Sequence, residues 1–184
     1  PESRVIVCVR DVAWIIDSFE RLFQKSPFET SRMLSPKQRA TVDSRAAALQ
    51  ESLVELIDLS LQAKHYHWNV TGQDFRGVHL QLDEITDQVR LWYDDVAERM
   101  ATLDVAPDGR LATLTATSPL PAAGEGWQRD VDAVTAMRDR LTEIAARIEQ
   151  RAGAISDDLV TQGLLLEIAG GLAKHAWMLR VQAR

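Results

Sequence analysis

One cysteine, Cys8, occurs in the 184 residues, so no disulfide can form between two positions of this sequence, and the composition fits a reducing compartment. Aromatic side chains make up only 6% against a hydrophobic content of 46%. The apolar content therefore rests on Ala and Leu, a balance that suits helices. No apolar stretch approaches the roughly 18 residues a membrane span needs. Val5 to Val9 is too short for the core of a secretory signal, and Arg10 and Asp11 follow at once. Basic runs are missing too. The net charge is −6 and the pI about 5.2, which argues against a strongly nucleic-acid-binding body. There is no internal repeat and no low-complexity segment. Together these absences predict a cytoplasmic protein with no membrane partner.

Long helical patterns are what the sequence does have. The first is expected from about Asp43 to Val70, where Leu49, Leu53, Leu56, Ile57, Ser60, Lys64 and His67 recur at three and four. Gly72 is its stop. The second runs from about Phe75 to Leu103 with Asp74 as N-cap, burying Val78, Leu82, Ile85, Val89, Val96 and Met100. The third spans about Trp127 to Ala152 on Val131, Val134, Met137, Leu141, Ile144 and Ile148. The fourth spans about Asp157 to Val181 on Leu159, Leu165, Leu166, Leu172, Trp177 and Leu179. Gly170 and Gly171 lie inside it, each costing about 1 kcal/mol relative to Ala, for which close helix packing is the plain explanation. Short turns join the first pair and the second pair. Between the pairs, Asp104 to Gly126 is long enough to cross a bundle, and Arg110 to Thr117 reads as a short helix within it. A four-helix bundle with one long crossover is ferritin-like. The expected organisation is an N-terminal extension, residues 1–42, and an all-α bundle, residues 43–184. The extension carries an amphipathic stripe of Val12, Ile15, Ile16, Phe19, Leu22 and Phe23, expected to dock on its own or a neighbouring subunit.

Five candidate metal ligands stand in the first two helices: His67, His79, Asp83, Asp94 and Glu98. Two imidazoles and three carboxylates suit a hard-to-borderline metal such as iron. His79 and Asp83 are one turn apart, as are Asp94 and Glu98, and all four share a stripe. Along the axis, however, His79 and Asp94 are separated by about 22 Å at roughly 1.5 Å per residue, whereas metal–ligand bonds are only about 2 Å long. One straight helix cannot bring both ends to one ion. Either there are two half-sites with different jobs, or two chains pair antiparallel and each lends its half to the other. The Glu-x-x-His motifs of the usual bundle-centre site are missing; Glu167 and His175 have the wrong spacing.

The segment KHYHWN (Lys64 to Asn69), then His-x-x-x-Asp at His79, Asp-x-x-x-Glu-Arg at Asp94 and the loop PDGRLATL, resembles the Dps family, the small dodecameric miniferritins. The resemblance covers about Leu49 to Val181. It implies a bundle with a short crossover helix, a homo-oligomeric shell of twelve, and a ferroxidase centre at a twofold interface. His67, His79 and Asp83 would then come from one chain, Asp94 and Glu98 from its partner. The implied reaction is oxidation of Fe(II) to Fe(III), preferentially by hydrogen peroxide over oxygen, with ferric mineral stored in the cavity. Trp68 would quench stray oxidising equivalents, and Lys64 would pair with a carboxylate beside the metal.

Many members of the family compact DNA through Lys-rich tails. Here residues 1–45 contain eight Lys or Arg against six Asp or Glu, and the remaining residues carry −8. A shell of that charge should repel phosphate, so DNA binding is expected to be weak or absent. A non-catalytic bundle that only assembles or binds a partner is the third reading, separated from the first by anaerobic Fe(II) titration. Zinc, as an inhibitor, suits the same ligands. His65 fits no ligand position and is expected at the surface or an interface. His175 is expected to be structural, and Cys8 has no activating neighbours.

Overall fold

The structure is a computed structural model that describes residues 36–182, with side chains from residue 41 onward. Cys8 and the stripe from Val12 to Phe23 lie outside the described residues. Five helices follow: α1 (Pro36–Asn69), α2 (Phe75–Thr102), the short α3 (Leu111–Thr117), α4 (Asp130–Ala154) and α5 (Leu159–Gln182). Two two-residue strands, β1 (Val70–Thr71) and β2 (Gln128–Arg129), pair in parallel, Val70 with Gln128 and Thr71 with Arg129.

Side-chain bonds between helices give their directions. On α1 and α4, Gln62 meets Arg140, Glu55 meets Arg147 and Glu51 meets Arg151, so the two run antiparallel. On α2 and α5, Gln81 meets Gln182 at one end and Arg99 meets Thr161 at the other, again antiparallel. The short turn after α1 reverses the chain into α2. Hence α2 and α4 point the same way, and the connection between them must return the full length of α2, about 42 Å at roughly 1.5 Å per residue. This is the ferritin-like four-helix bundle expected from the loop lengths, and its crossover holds α3 as expected.

The core is one apolar cluster to which every long helix contributes, including Leu56, Leu82, Ile85, Met137, Ile144, Leu165 and Ile168. All six stripe residues assigned to the second helix are buried. In the later helices, Val131, Leu159, Leu166 and Trp177 are exposed, contrary to expectation. Val131 and Leu159 stand in first turns, where the helix has not yet entered the core. Leu166 and Trp177 belong to a helix so apolar that periodicity overstates its buried arc. The third helix starts at Asp130 instead of Trp127, because Gln128 and Arg129 are held extended against β1. Gly171 confirms the close-packing explanation: a Cβ there would overlap the indole of Trp92. Gly170 does not, since nothing lies within 4 Å of the place its Cβ would take.

The crossover is tied down at several points. Gln50 on α1 bonds the backbone of Asp108 twice, accepting from its N–H at 2.9 Å and donating to its carbonyl at 2.8 Å. The Asp108 carboxylate accepts from the Arg110 backbone and guanidinium and from the Thr113 hydroxyl, which fixes the start of α3. Buried Arg140 donates to Gln62 at 2.6 Å and to the carbonyls of Pro121 and Ala122, with its guanidinium over the ring of Tyr66. His65, expected at the surface or an interface, is half-buried and donates from Nε2 to the Gly124 carbonyl at 2.8 Å. It is a clasp for the crossover.

Candidate metal centre

The end of α1 and the start of α2 form the site. Helix α1 stops because Asn69 turns its amide back to the His65 carbonyl at 2.8 Å, and Gly72 then adopts φ +140°, a conformation that strains any side chain. Asp74 occupies the expected N-cap position of α2, but its side chain makes no capping bond. Its backbone N–H donates instead to Oδ2 of Asp130, at the start of α4, at 2.8 Å.

This turn brings His67 and His79 face to face. Their rings stack with centroids 3.7 Å apart and planes 20° from parallel. His67 Nδ1 bonds the His79 carbonyl at 2.9 Å, and His79 Nδ1 bonds the His67 carbonyl at 2.8 Å. A carbonyl only accepts, so each Nδ1 carries a proton, and in the neutral rings each Nε2 keeps its lone pair. That is the tautomer a metal-binding imidazole needs. His67 is only 7% exposed. Phe75 packs against His79 with ring centroids 5.0 Å apart.

Asp83, one turn beyond His79, points back to α1. Its Oδ1 accepts from the Lys64 ammonium and lies 3.7 Å from His67 Nδ1. The hydrogen bond from Lys64, aided by charge on the neighbouring imidazoles, holds the Asp83 carboxyl below the usual carboxylate range. Lys64 thus pairs with a carboxylate as expected.

The other two candidates stand apart from this group. Asp94 and Glu98 lie further along α2, solvent-exposed, with Glu98 beside the arginine that anchors the far end of the helix. Among the described residues, no group of three or more His, Cys, Asp or Glu side chains is gathered closely enough to hold a metal ion. Trp68 is 64% exposed. His175 packs edge-on against Trp92, and burial lowers its pKa. At the opposite end of α2, Arg99 grips Asp158 through two contacts of 3.0 and 2.9 Å and donates to Thr161, while Arg45 of α1 reaches Asp157 and Asp158. Sequence reasoning missed Phe75, Asp130 and this arginine knot. Phe75 stands one turn before His79 on the same helix, a spacing that could have found it. Asp130 and the arginines act through partners far away in the chain, so no local spacing announces them.

Among the described residues, no helix is long and apolar enough to cross a membrane. Residues 46–184 match the ferritin-like domain model. The chain is 32% identical over 158 residues to DNA protection during starvation protein 2 of Deinococcus radiodurans, covering 84% of this chain and 66% of that protein, just under two thirds of its length. It is 35% identical over 159 residues to the DNA protection during starvation protein of Mycolicibacterium smegmatis, covering 80% of this chain and 79% of that one. The solved structure of Dps92 from Deinococcus radiodurans superposes with a TM-score of 0.76 at 32% identity, covering 77% of this chain and 87% of that one. On the family model, these relatives and the shared architecture, the chain belongs to the Dps family of ferritin-like proteins.

Proposed function

We propose that this protein is an iron-oxidising and iron-storing miniferritin whose oxidation site is completed between two copies of the chain. The observation that carries the reading is the His67–His79 pair, with both Nε2 lone pairs free and the ionised Asp83 one turn away. Two imidazoles and one carboxylate are the facial set that holds Fe(II) and leaves positions open. Asp94 and Glu98 are too far along α2 to serve the same ion from the same chain, so they serve the partner's His pair. Their carboxylates favour the more highly charged ferric product. Exposed Leu61, Leu111, Leu159, Val160 and Trp177, spread over α1, α3 and both ends of α5, are the apolar positions that neighbouring copies would cover in a dodecameric shell of the family's pattern.

Iron is the substrate. Two Fe(II) held side by side each give one electron to one hydrogen peroxide molecule. Its O–O bond breaks to the oxidation level of water, and hydroxyl radical is not released. Oxygen is the slower alternative oxidant. The ferric product hydrolyses, releases protons and accumulates as mineral. The exposed Trp68, next to His67, supplies an electron to oxidising equivalents that escape the pair. A cytoplasmic setting, where Fe(II) persists, fits the single cysteine.

The test is anaerobic Fe(II) titration followed by peroxide-driven oxidation. The parent protein should bind Fe(II) saturably at the facial set and oxidise it in the ratio electron balance requires, one electron from each Fe(II) and a pair taken up by each peroxide. The His67→Ala/His79→Ala variant should lose both. Identical oxidation by that variant would leave a bundle that only assembles. Direct DNA binding, to which the relatives' names point, is disfavoured by the net charge of −8 over residues 46–184. A mobility shift near 150 mM salt, about physiological ionic strength, would favour it instead.

A further inference from the structure

Asp130 stands outside the ligand set, yet its carboxylate is built into the turn that faces the two histidines toward each other. Oδ2 accepts from the N–H of Asp74, at the start of α2, and Oδ1 accepts from the N–H of Val131, at the start of α4, each at 2.8 Å. One anion therefore sits at the N-termini of two helices at once, where both backbone dipoles favour it. Those two backbone bonds, that of Asp74 first, hold its pKa below the usual carboxylate range, so it is anionic throughout the neutral region. The carboxylate also fills the space beside Gly72: a Cβ built there would overlap it. The parallel pairing of Val70–Thr71 with Gln128–Arg129, reinforced by the Thr71 hydroxyl on the Gln128 carbonyl at 3.2 Å, brings the end of the crossover to the same place.

The consequence lies in the register between α1 and α2. His67 is three residues before β1, and His79 is five residues after Asp74. The two Nδ1–carbonyl bonds are reciprocal, so a slip of α2 along α1 breaks both together. The hold on the start of α2 comes from Asp130, because the Asp74 side chain makes no cap. We propose that Asp130 is a positioning residue for the iron site: by clamping the α1–α2 turn it keeps His67 and His79 in the single tautomer that presents both Nε2 atoms to metal. The proposal rests on reading these histidines as iron ligands, but its first measurement needs no iron.

That measurement is the ¹⁵N spectrum of histidine-labelled, sedimented protein by solid-state NMR. The parent should show His67 and His79 each protonated at Nδ1 and bare at Nε2. In Asp130→Ala, at least one of them should become a tautomer mixture. Asp130→Asn, which keeps one acceptor, should fall between and serves if the alanine variant does not fold. Asp132→Ala removes a neighbouring exposed carboxylate of the same first turn and should leave the rings locked. Anaerobic binding of Co(II), used as a redox-inert probe, should weaken roughly tenfold in Asp130→Ala, the scale of outer-shell effects on metal sites. Rings that stay locked without the Asp130 carboxylate, or that loosen equally in Asp132→Ala, overturn the proposal, whatever happens to metal affinity. Loosened rings in Asp130→Ala, in a protein whose parent form binds neither Co(II) nor Fe(II), uphold the clamp and sink the iron reading.

Discussion

Asp83 is engaged by Lys64, so an incoming divalent ion competes with a resident cation for one oxygen. The side-chain bond from Lys64 is also the largest influence lowering the Asp83 pKa. Replacing the lysine should therefore have an effect that depends on pH. In Lys64→Met, Co(II) binding at neutral pH should tighten, because the competitor is gone. In acid the gain should shrink, because a protonated Asp83 no longer engages the lysine in the parent either. Titrations at pH values spaced through the acid range check this, and a uniform shift at every pH would contradict the competition. At this scale much was legible. The spacing put His79 and Asp83 on one face of α2 and Lys64, three residues before His67, on one face of α1, whereas the joining of His67 to His79 and Asp83 came from the family resemblance. The reciprocal ring–carbonyl bonds were not legible, because they depend on a turn held by a carboxylate 56 residues away from the N–H it accepts.

Among the elements, α5 is the one where periodicity failed, and its two central glycines separate the causes. Gly171 faces Trp92 and admits no side chain, so Gly171→Ala should destabilise by about 1–3 kcal/mol through overpacking. Gly170 is exposed and unobstructed, so Gly170→Ala should stabilise by up to about 1 kcal/mol through helix propensity. Opposite shifts in urea midpoint are the expected readout. The α2–α5 junction adds a pH-dependent term. Burial alone would raise the pKa of Asp158, but the bonds from Thr161 and Arg99 outweigh it and hold the group well below the ordinary range. A depressed folded-state pKa stabilises above the unfolded value, near 4, and the contribution is lost as pH falls below it. Asp158→Asn should thus cost about 1–2 kcal/mol at neutral pH, and the gap to the parent should close in acid. Buried stripes on α2 and the interior of α4 could be read from sequence because a 3.6-residue repeat needs no knowledge of neighbours. The starts of α4 and α5 could not, since a strand bridge and an interhelical ion pair set them.

For the whole molecule, the sharing of the site between copies predicts complementation. His67→Ala/His79→Ala and Asp94→Ala/Glu98→Ala subunits should each oxidise Fe(II) poorly alone. Co-assembled, each mixed twofold pair regains one intact site and keeps one doubly defective site. Random pairing then restores about one quarter of parental activity per subunit. Activity that stays at the level of the separate variants would place all five ligands on one chain. The bundle's topology has its own outcome. Because α2 and α4 point the same way, the chain consists of two antiparallel hairpins joined by a strap that spans their full height. Each hairpin closes through near neighbours in the chain, whereas their union needs distant partners, so the hairpins should form early and dock late. Two fragments separated within residues 103–109 should find each other again in solution, and the mutual affinity of the halves would measure how much of the fold the covalent link supplies.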